Sequence, residues 1–193
     1  MQRSDIIQAA AQIFRQKGYH AASMQDIADA VHLQKASLYH HVTSKQDILL
    51  AILDKALDLM IDDLQQVVAS DLAPEEKIRQ AIQVYIGRLT EDPSLAAVLL
   101  LEYRSLEPDL RAQHVERRDR YDHLWRGLIQ EGVEANLFYP VDEAVATFAL
   151  LGVQNWMITW FRHDGRYTAR QLADQFCDLF INGLRVREEA DGL

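Results

Sequence analysis

The chain has 193 residues, 49% of them apolar and 25% charged, with only eight glycines and four prolines. That composition excludes a disordered or fibrous chain and allows one buried core, or a small module joined to a larger one. The net charge of −9 argues against nucleic acid along the whole surface, yet residues 1–55 hold six Lys/Arg against five Asp/Glu and leave −10 to the remainder, so a local phosphate footprint on the head stays open.

The single Cys177 rules out a disulfide framework within the chain and fits a reducing, cytoplasmic setting; in "FCDLF" it reads as a buried structural thiol. "MQRSDIIQAA" shows no apolar core followed by a cleavage site. The one long apolar run, "AVATFALLGVQNWMITWF" at 144–161, carries Gln154 and Asn155 and reads as a buried helix, with no membrane partner expected.

Apolar residues repeat with helical periodicity throughout and no stretch sustains a two-residue alternation, so the fold is expected to be all-α. Ile6, Ala10, Ile13 and Phe14 share one face of a first helix, and Gly18 stands where a glycine ends it. Ser23 with Asp26 marks the start of a short helix carrying Ile27, Ala28 and Val31. After "HLQ" a second short helix is expected over about 35–41. Ser44 with Asp47 then caps a long helix with a stripe through Ile48, Ile52, Ala56, Leu59, Met60, Leu64 and Val67. Breaks at "SDLAPEE", "EDPS", "LEPDL" and "LFYPVDE" each start a new helix. The last two helices are expected over roughly 141–162 and 168–186, joined by "HDGRY", with Thr168 and Gln171 forming a capping box and "REEADGL" fraying beyond them. The expected division is a head of residues 1–48 and a body of residues 49–193.

Two short helices behind a longer amphipathic one have the dimensions of a helix-turn-helix, whose second short helix enters the major groove of duplex DNA. In "KASLYHHVTSK", residues 35–45, Ala36 and Ser37 permit close backbone approach, Lys35 supplies charge, and Tyr39 and His40 offer donors to phosphate. Lys45 follows at a helix N-terminus, a place that favours an anion. Adjacent His40 and His41 point about 100° apart, whereas chelation wants a spacing of three or four, and no HxxxH or ExxH occurs, so no metal site is expected. His41 is expected to be a half-buried packing residue.

Residues 6–53, "IIQAAAQIFRQKGYHAASMQDIADAVHLQKASLYHHVTSKQDILLAIL", resemble the DNA-binding domain of the TetR family of bacterial transcriptional regulators. The resemblance implies that residues 24–31 support and 35–41 recognise, that Tyr39, His40 and Lys45 anchor phosphates, and that Ser23, Gln25 and Gln34 complete the DNA-contacting set. Val42 departs from the usual Phe but still suits a core position. A palindromic operator, a homodimer, a small hydrophobic effector and a bacterial cytoplasmic, nucleoid-associated location are implied with it.

The final helix pair is apolar around much of its circumference, which requires another surface. The resemblance implies pairing with a second copy through Val145, Phe148, Leu172, Phe176, Leu179 and Phe180. The tail from Leu151 to Leu184 is similar to a subgroup of fatty-acid-degradation repressors that respond to acyl-CoA, an implied effector rather than a cofactor. Arg104, Arg111, His114 and Arg118 form a basic cluster able to meet coenzyme A phosphates. Trp125, Trp156 and Trp160 are the candidate residues to stack on or wall an acyl channel, and Arg162 joins the candidate ligand-binding set. No nucleophile–base pair or Gly-rich phosphate loop points to an enzyme. A drug-like hydrophobic effector and a constitutive DNA-binding protein are the alternative readings.

Overall fold

The computed structural model describes residues 2–185, and the expected frayed end at 187–193 lies outside them. The order is α1 (Arg3–Lys17), α2 (Met24–Ala30), α3 (Lys35–Leu38), α4 (Lys45–Val68), α5 (Pro74–Glu91), α6 (Pro93–Leu101), a 3-10 turn (Tyr103–Ser105), α7 (Pro108–Glu134), α8 (Glu143–Asn155), α9 (Met157–Trp160) and α10 (Ala169–Leu184). The fold is all-α; an isolated antiparallel bridge between Phe138 and Arg185 interrupts the helical pattern. No helix among the described residues is long and apolar enough to cross a membrane.

The start signals operate as read. Ser23 and Asp26 close a reciprocal capping box on α2, and Thr168 and Gln171 close another on α10. Ser44 Oγ accepts the Asp47 N–H at 3.0 Å at the head of α4. Pro74, Pro93 and Pro108 each occupy the first position of a helix, where no intrahelical N–H is needed.

Two elements end earlier than expected. The helix begun at Lys35 stops at Leu38, because the His40 and His41 N–H groups bond back only three residues, to Ser37 and Leu38 carbonyls. The expected 141–162 helix breaks at Trp156: the Thr159 hydroxyl and N–H both take the Trp156 carbonyl, at 2.7 and 3.1 Å, which tightens that turn and leaves α9 as a separate piece.

The residues divide into two compact units. The first comprises the chain up to Met60 with Arg88–Arg120. Its core joins Ile6, Phe14, Ile27, Leu38, Val42 and Leu49 to Leu95, Val98 and Leu106, so α6 and the start of α7 share one apolar cluster with the helix-turn-helix. Polar bonds reinforce this joint. Glu102 accepts the Tyr19 N–H at 3.0 Å, and Gln46 bonds both the Tyr19 hydroxyl, at 2.8 Å, and the Ser105 carbonyl, at 2.9 Å.

The second unit comprises Ile61–Gly87 and the chain from Tyr121 onward. Ile78, Ile82, Trp125, Ile129, Leu150, Cys177 and Ile181 are buried in it. Tyr85, Tyr121 and Trp125 form an aromatic triangle with ring centroids 6.2 to 6.3 Å apart. Phe138 folds its ring onto Gly132 of α7, where any side chain would collide with it.

Candidate functional site

The turn between α2 and α3 is closed by His32 in the left-handed region, φ 55°, and by the Leu33 N–H bonding the Ala28 carbonyl at 2.9 Å. Leu38 and Val42 face the core, which turns the opposite side of the short helix outward. Gln34, Lys35, Ala36, Tyr39 and His40 are exposed there, with Ser37 half-buried, and form one continuous leading edge. His41 is also exposed, correcting the expectation of a packing residue: ending the helix at Leu38 rotates it out of the apolar face.

Ser23 and Gln25 are exposed but engaged: Ser23 Oγ accepts the Asp26 N–H at 3.1 Å, and Gln25 donates to Asp29 at 2.7 Å. The Lys17 ammonium beside Asp26, followed by the Ser23 donors, holds the Asp26 carboxyl well below the usual carboxylate range. Lys45 is half-buried. Its Nζ donates to the carbonyls of Tyr19, His20 and Ala22 at 2.9, 3.4 and 2.7 Å and sits 4.4 Å from the Tyr19 ring centroid. Residue patterning does not reveal this staple, because carbonyl acceptors in a loop leave no residue-type signature.

The basic cluster is not one surface. His114 is fully buried, its Nδ1 2.7 Å from Asp54 of α4, and Asp54 also takes Arg117 at 3.2 Å. Arg111 donates to its own chain's carbonyls at Arg104 and Leu106, at 3.0 and 2.7 Å. Arg104 and Arg118 are exposed, with Arg118 4.3 Å above the Tyr103 ring. The three tryptophans are likewise separate: Trp125 is fully buried, whereas Trp156 and Trp160 are exposed. Arg162 is exposed and paired with Asp164 at 2.9 Å. A cleft of about 260 Å³ that residue patterning did not locate has an apolar floor at Leu59, Met60 and Leu95 and charged walls at Lys55, Arg88 and Asp92.

Along α8 the exposed side is formed by Val145, Phe148, Ala149, Gly152, Val153 and Trp156, without a single charge. Phe148 is 63% exposed, Val145 61% and Trp156 67%. On α10 Leu179 is 73% exposed and Phe176 and Phe180 are half-buried, while Leu172 is buried in the unit's own core. No group of three His, Cys, Asp or Glu among the described residues is placed to hold a metal ion.

Both halves of the chain have counterparts among known proteins. Residues 6–52 match the family described as bacterial regulatory proteins, tetR family, and residues 71–184 match the tetracyclin repressor-like C-terminal domain. The crystal structure of PfmR, a TetR family transcriptional regulator from Thermus thermophilus, is 36% identical with a TM-score of 0.86, covering 94% of this chain and 99% of that one. AibR in complex with isovaleryl coenzyme A and operator DNA is 30% identical with a TM-score of 0.86, covering 93% of this chain and 97% of that one. The transcriptional repressor KstR2 of Rhodococcus jostii is 27% identical over 94% of this chain and 90% of its own length. The fatty acid metabolism regulator protein of Bacillus subtilis is 24% identical over 93% of both. With both of its halves matched, the chain belongs to the TetR family of DNA-binding bacterial transcriptional regulators.

Proposed function

We propose that the chain is a homodimeric repressor that holds a palindromic operator through one α3 edge per half-site and releases it on binding an acyl-CoA thioester. The observation carrying the DNA-binding role is the exposed edge from Gln34 to His40, mounted on the buried Leu38 and Val42. Lys35, Ala36 and Ser37 read bases, while Tyr39 and His40 bond phosphates. The uncharged outer face of α8 with Leu179, Phe176 and Phe180 of α10 is the self-association surface, since a contiguous apolar patch of this kind marks an interaction site. Leu172 supports it from below.

The acyl-CoA reading rests on the isovaleryl coenzyme A bound by AibR and on the kinship with a regulator of fatty-acid metabolism. Arg104 and Arg118, exposed on the first unit, are the cations we assign to the coenzyme A phosphates. Functionally, residues 1–48 act as the reading head and 49–193 as the sensing and dimerising body. The chain works by binding rather than catalysis, in the bacterial cytoplasm at the nucleoid.

The test is selection of an operator from random duplexes, followed by release titrations with coenzyme A, a free fatty acid and acyl-CoA thioesters. Enrichment of a palindrome and release by thioester alone are expected. Failure to enrich any sequence at low salt removes the operator assignment. Release only by a flat hydrophobic compound replaces the effector.

A further inference from the structure

The cleft of about 260 Å³ lies wholly within the first unit, between Lys55, Leu59 and Met60 of α4 and the junction of α5 with α6. It opens on a different side of α4 from α7. Asp54 and Asp58 take His114 and Arg117 of α7, whereas Lys55 and Leu59 each stand about 100° further round the helix.

The charges in its walls are unequally satisfied. Glu91 pairs with Arg88 at 3.0 Å. One oxygen of Asp92 caps α6 by accepting the Ser94 and Leu95 N–H groups at 3.1 and 3.0 Å, and the other takes the Gln8 amide at 2.6 Å. Both acids are therefore engaged. Lys55 is half-buried, and its ammonium donates only to the neutral Gln8 amide oxygen, at 3.3 Å, with no ion pair among the described residues. Gln8 acts as a spacer, accepting from the cation and donating to Asp92. An ammonium with N–H donors to spare thus stands beside an apolar floor of Leu59, Met60 and Leu95.

We propose that this cleft binds a small organic carboxylate, with the carboxyl group on the Lys55 ammonium and the alkyl body on the floor. A few placed polar groups over apolar walls are the usual make-up of a small-molecule site. The charge-assisted bond that a carboxylate makes to Lys55 is shorter and stronger than the neutral bond it replaces, and the alkyl body removes apolar floor from water. Size limits the guest: 260 Å³ equals roughly nine waters at about 30 Å³ each, which suits an acid of about six carbons. The proposal does not depend on the acyl-CoA reading, which uses Arg104 and Arg118.

The test is NMR titration of the full chain, labelled with carbon-13 at the methionine methyls, with hexanoate, hexanol and hexylamine at neutral pH. Met60 lines the cleft, while Met24 and Met157, buried elsewhere, report on any other site. Hexanoate at about millimolar concentration is expected to move the Met60 signal alone, with hexanol at least about tenfold weaker and hexylamine weaker still. Lys55→Met should bring hexanoate down to the level of hexanol, Lys55→Arg should keep most of the difference, and Lys55→Glu should reverse the order in favour of hexylamine. Unmoved Met24 and Met157 signals in each variant report an intact fold. Equal affinity of hexanoate and hexanol overturns the proposal, as does a preference that survives Lys55→Met or the absence of any Met60 shift by about 20 mM hexanoate. If hexanoyl-CoA moves Met60 as hexanoate does, the cleft belongs to the acyl-CoA effector and the separate carboxylate site falls. A protein that ignores thioesters but answers to hexanoate keeps this proposal and loses the acyl-CoA reading.

Discussion

Lys45 shows how a single cation at a helix start can serve the fold. Its three carbonyl acceptors belong to the loop between α1 and α2, so Lys45→Ala unties that loop from α4. The expected cost is about 1–3 kcal/mol in urea unfolding, the range for leaving partly buried acceptors unpaired. Tyr39→Phe, at an exposed hydroxyl, should leave unfolding unchanged and weaken DNA binding to all sequences alike. His114 makes the same point on α7. It replaces a surface cation by a buried link to Asp54, so Asp54→Ala should destabilise the first unit by roughly 1–3 kcal/mol, read from the same unfolding curves. Cys177 supplies a pH signature: burial pushes its thiol up to about 12 from 9.0, with the Arg79 cation opposing. The native thiol keeps its proton where the unfolded one loses it. Stability present below pH 9.0 is therefore lost as the pH rises toward 12, and alkylation near neutral pH should be slow until the chain is unfolded in urea.

At the scale of elements, α8 divides cleanly into a buried face of Ala146, Thr147, Leu150 and Gln154 and an exposed face of Val145, Phe148, Val153 and Trp156. Because Phe148 is exposed in the protomer, Phe148→Glu should leave the monomer folded while abolishing the dimer, by sedimentation, and operator binding with it. An unpaired carboxylate forced into an apolar interface costs several kcal/mol, roughly 3–5. An intact dimer would move the interface elsewhere. Helix boundaries set by side-chain caps were legible in the sequence, because Ser23 with Asp26 and Thr168 with Gln171 act within three residues of one another. The end of α3 at Leu38 was not, since it depends on backbone bonds that several residue types would accept, and neither was the break at Trp156, where the Thr159 hydroxyl and N–H both bond back to a carbonyl only three residues away. Periodicity identified α8 and α10 as helices with more apolar surface than one core needs, but it could not divide Leu172, buried, from Leu179, exposed. The basic cluster failed for a related reason: helical spacing groups Arg111, His114 and Arg118, yet Asp54, sixty residues away from His114, decides which of them is buried.

For the whole molecule, the joint between the reading head and the segment from α6 to the start of α7 makes binding of effector and DNA a question of linked equilibria. Leu95, Val98 and Leu106 lie in the same apolar cluster as Ile27 and Leu38, so a shift of α6 cannot leave the helix-turn-helix untouched. Emptying an operator from 99:1 to 1:99 needs about 5.5 kcal/mol of differential effector affinity between the two states. At roughly 0.8 kcal/mol per buried methylene, about seven methylenes sheltered only in the released state supply it. Linkage then requires reciprocity of the proposed effector: whatever factor an acyl-CoA takes from operator affinity, saturating operator DNA must take from acyl-CoA affinity. Titrating the effector into free protein and into the protein–operator complex should give the same factor as titrating operator with and without effector. The factor should fall when octanoyl-CoA is replaced by butanoyl-CoA, because each lost methylene removes part of the differential term. Equal effector affinity with and without operator would mean that the ligand does not control DNA binding, however tightly it binds.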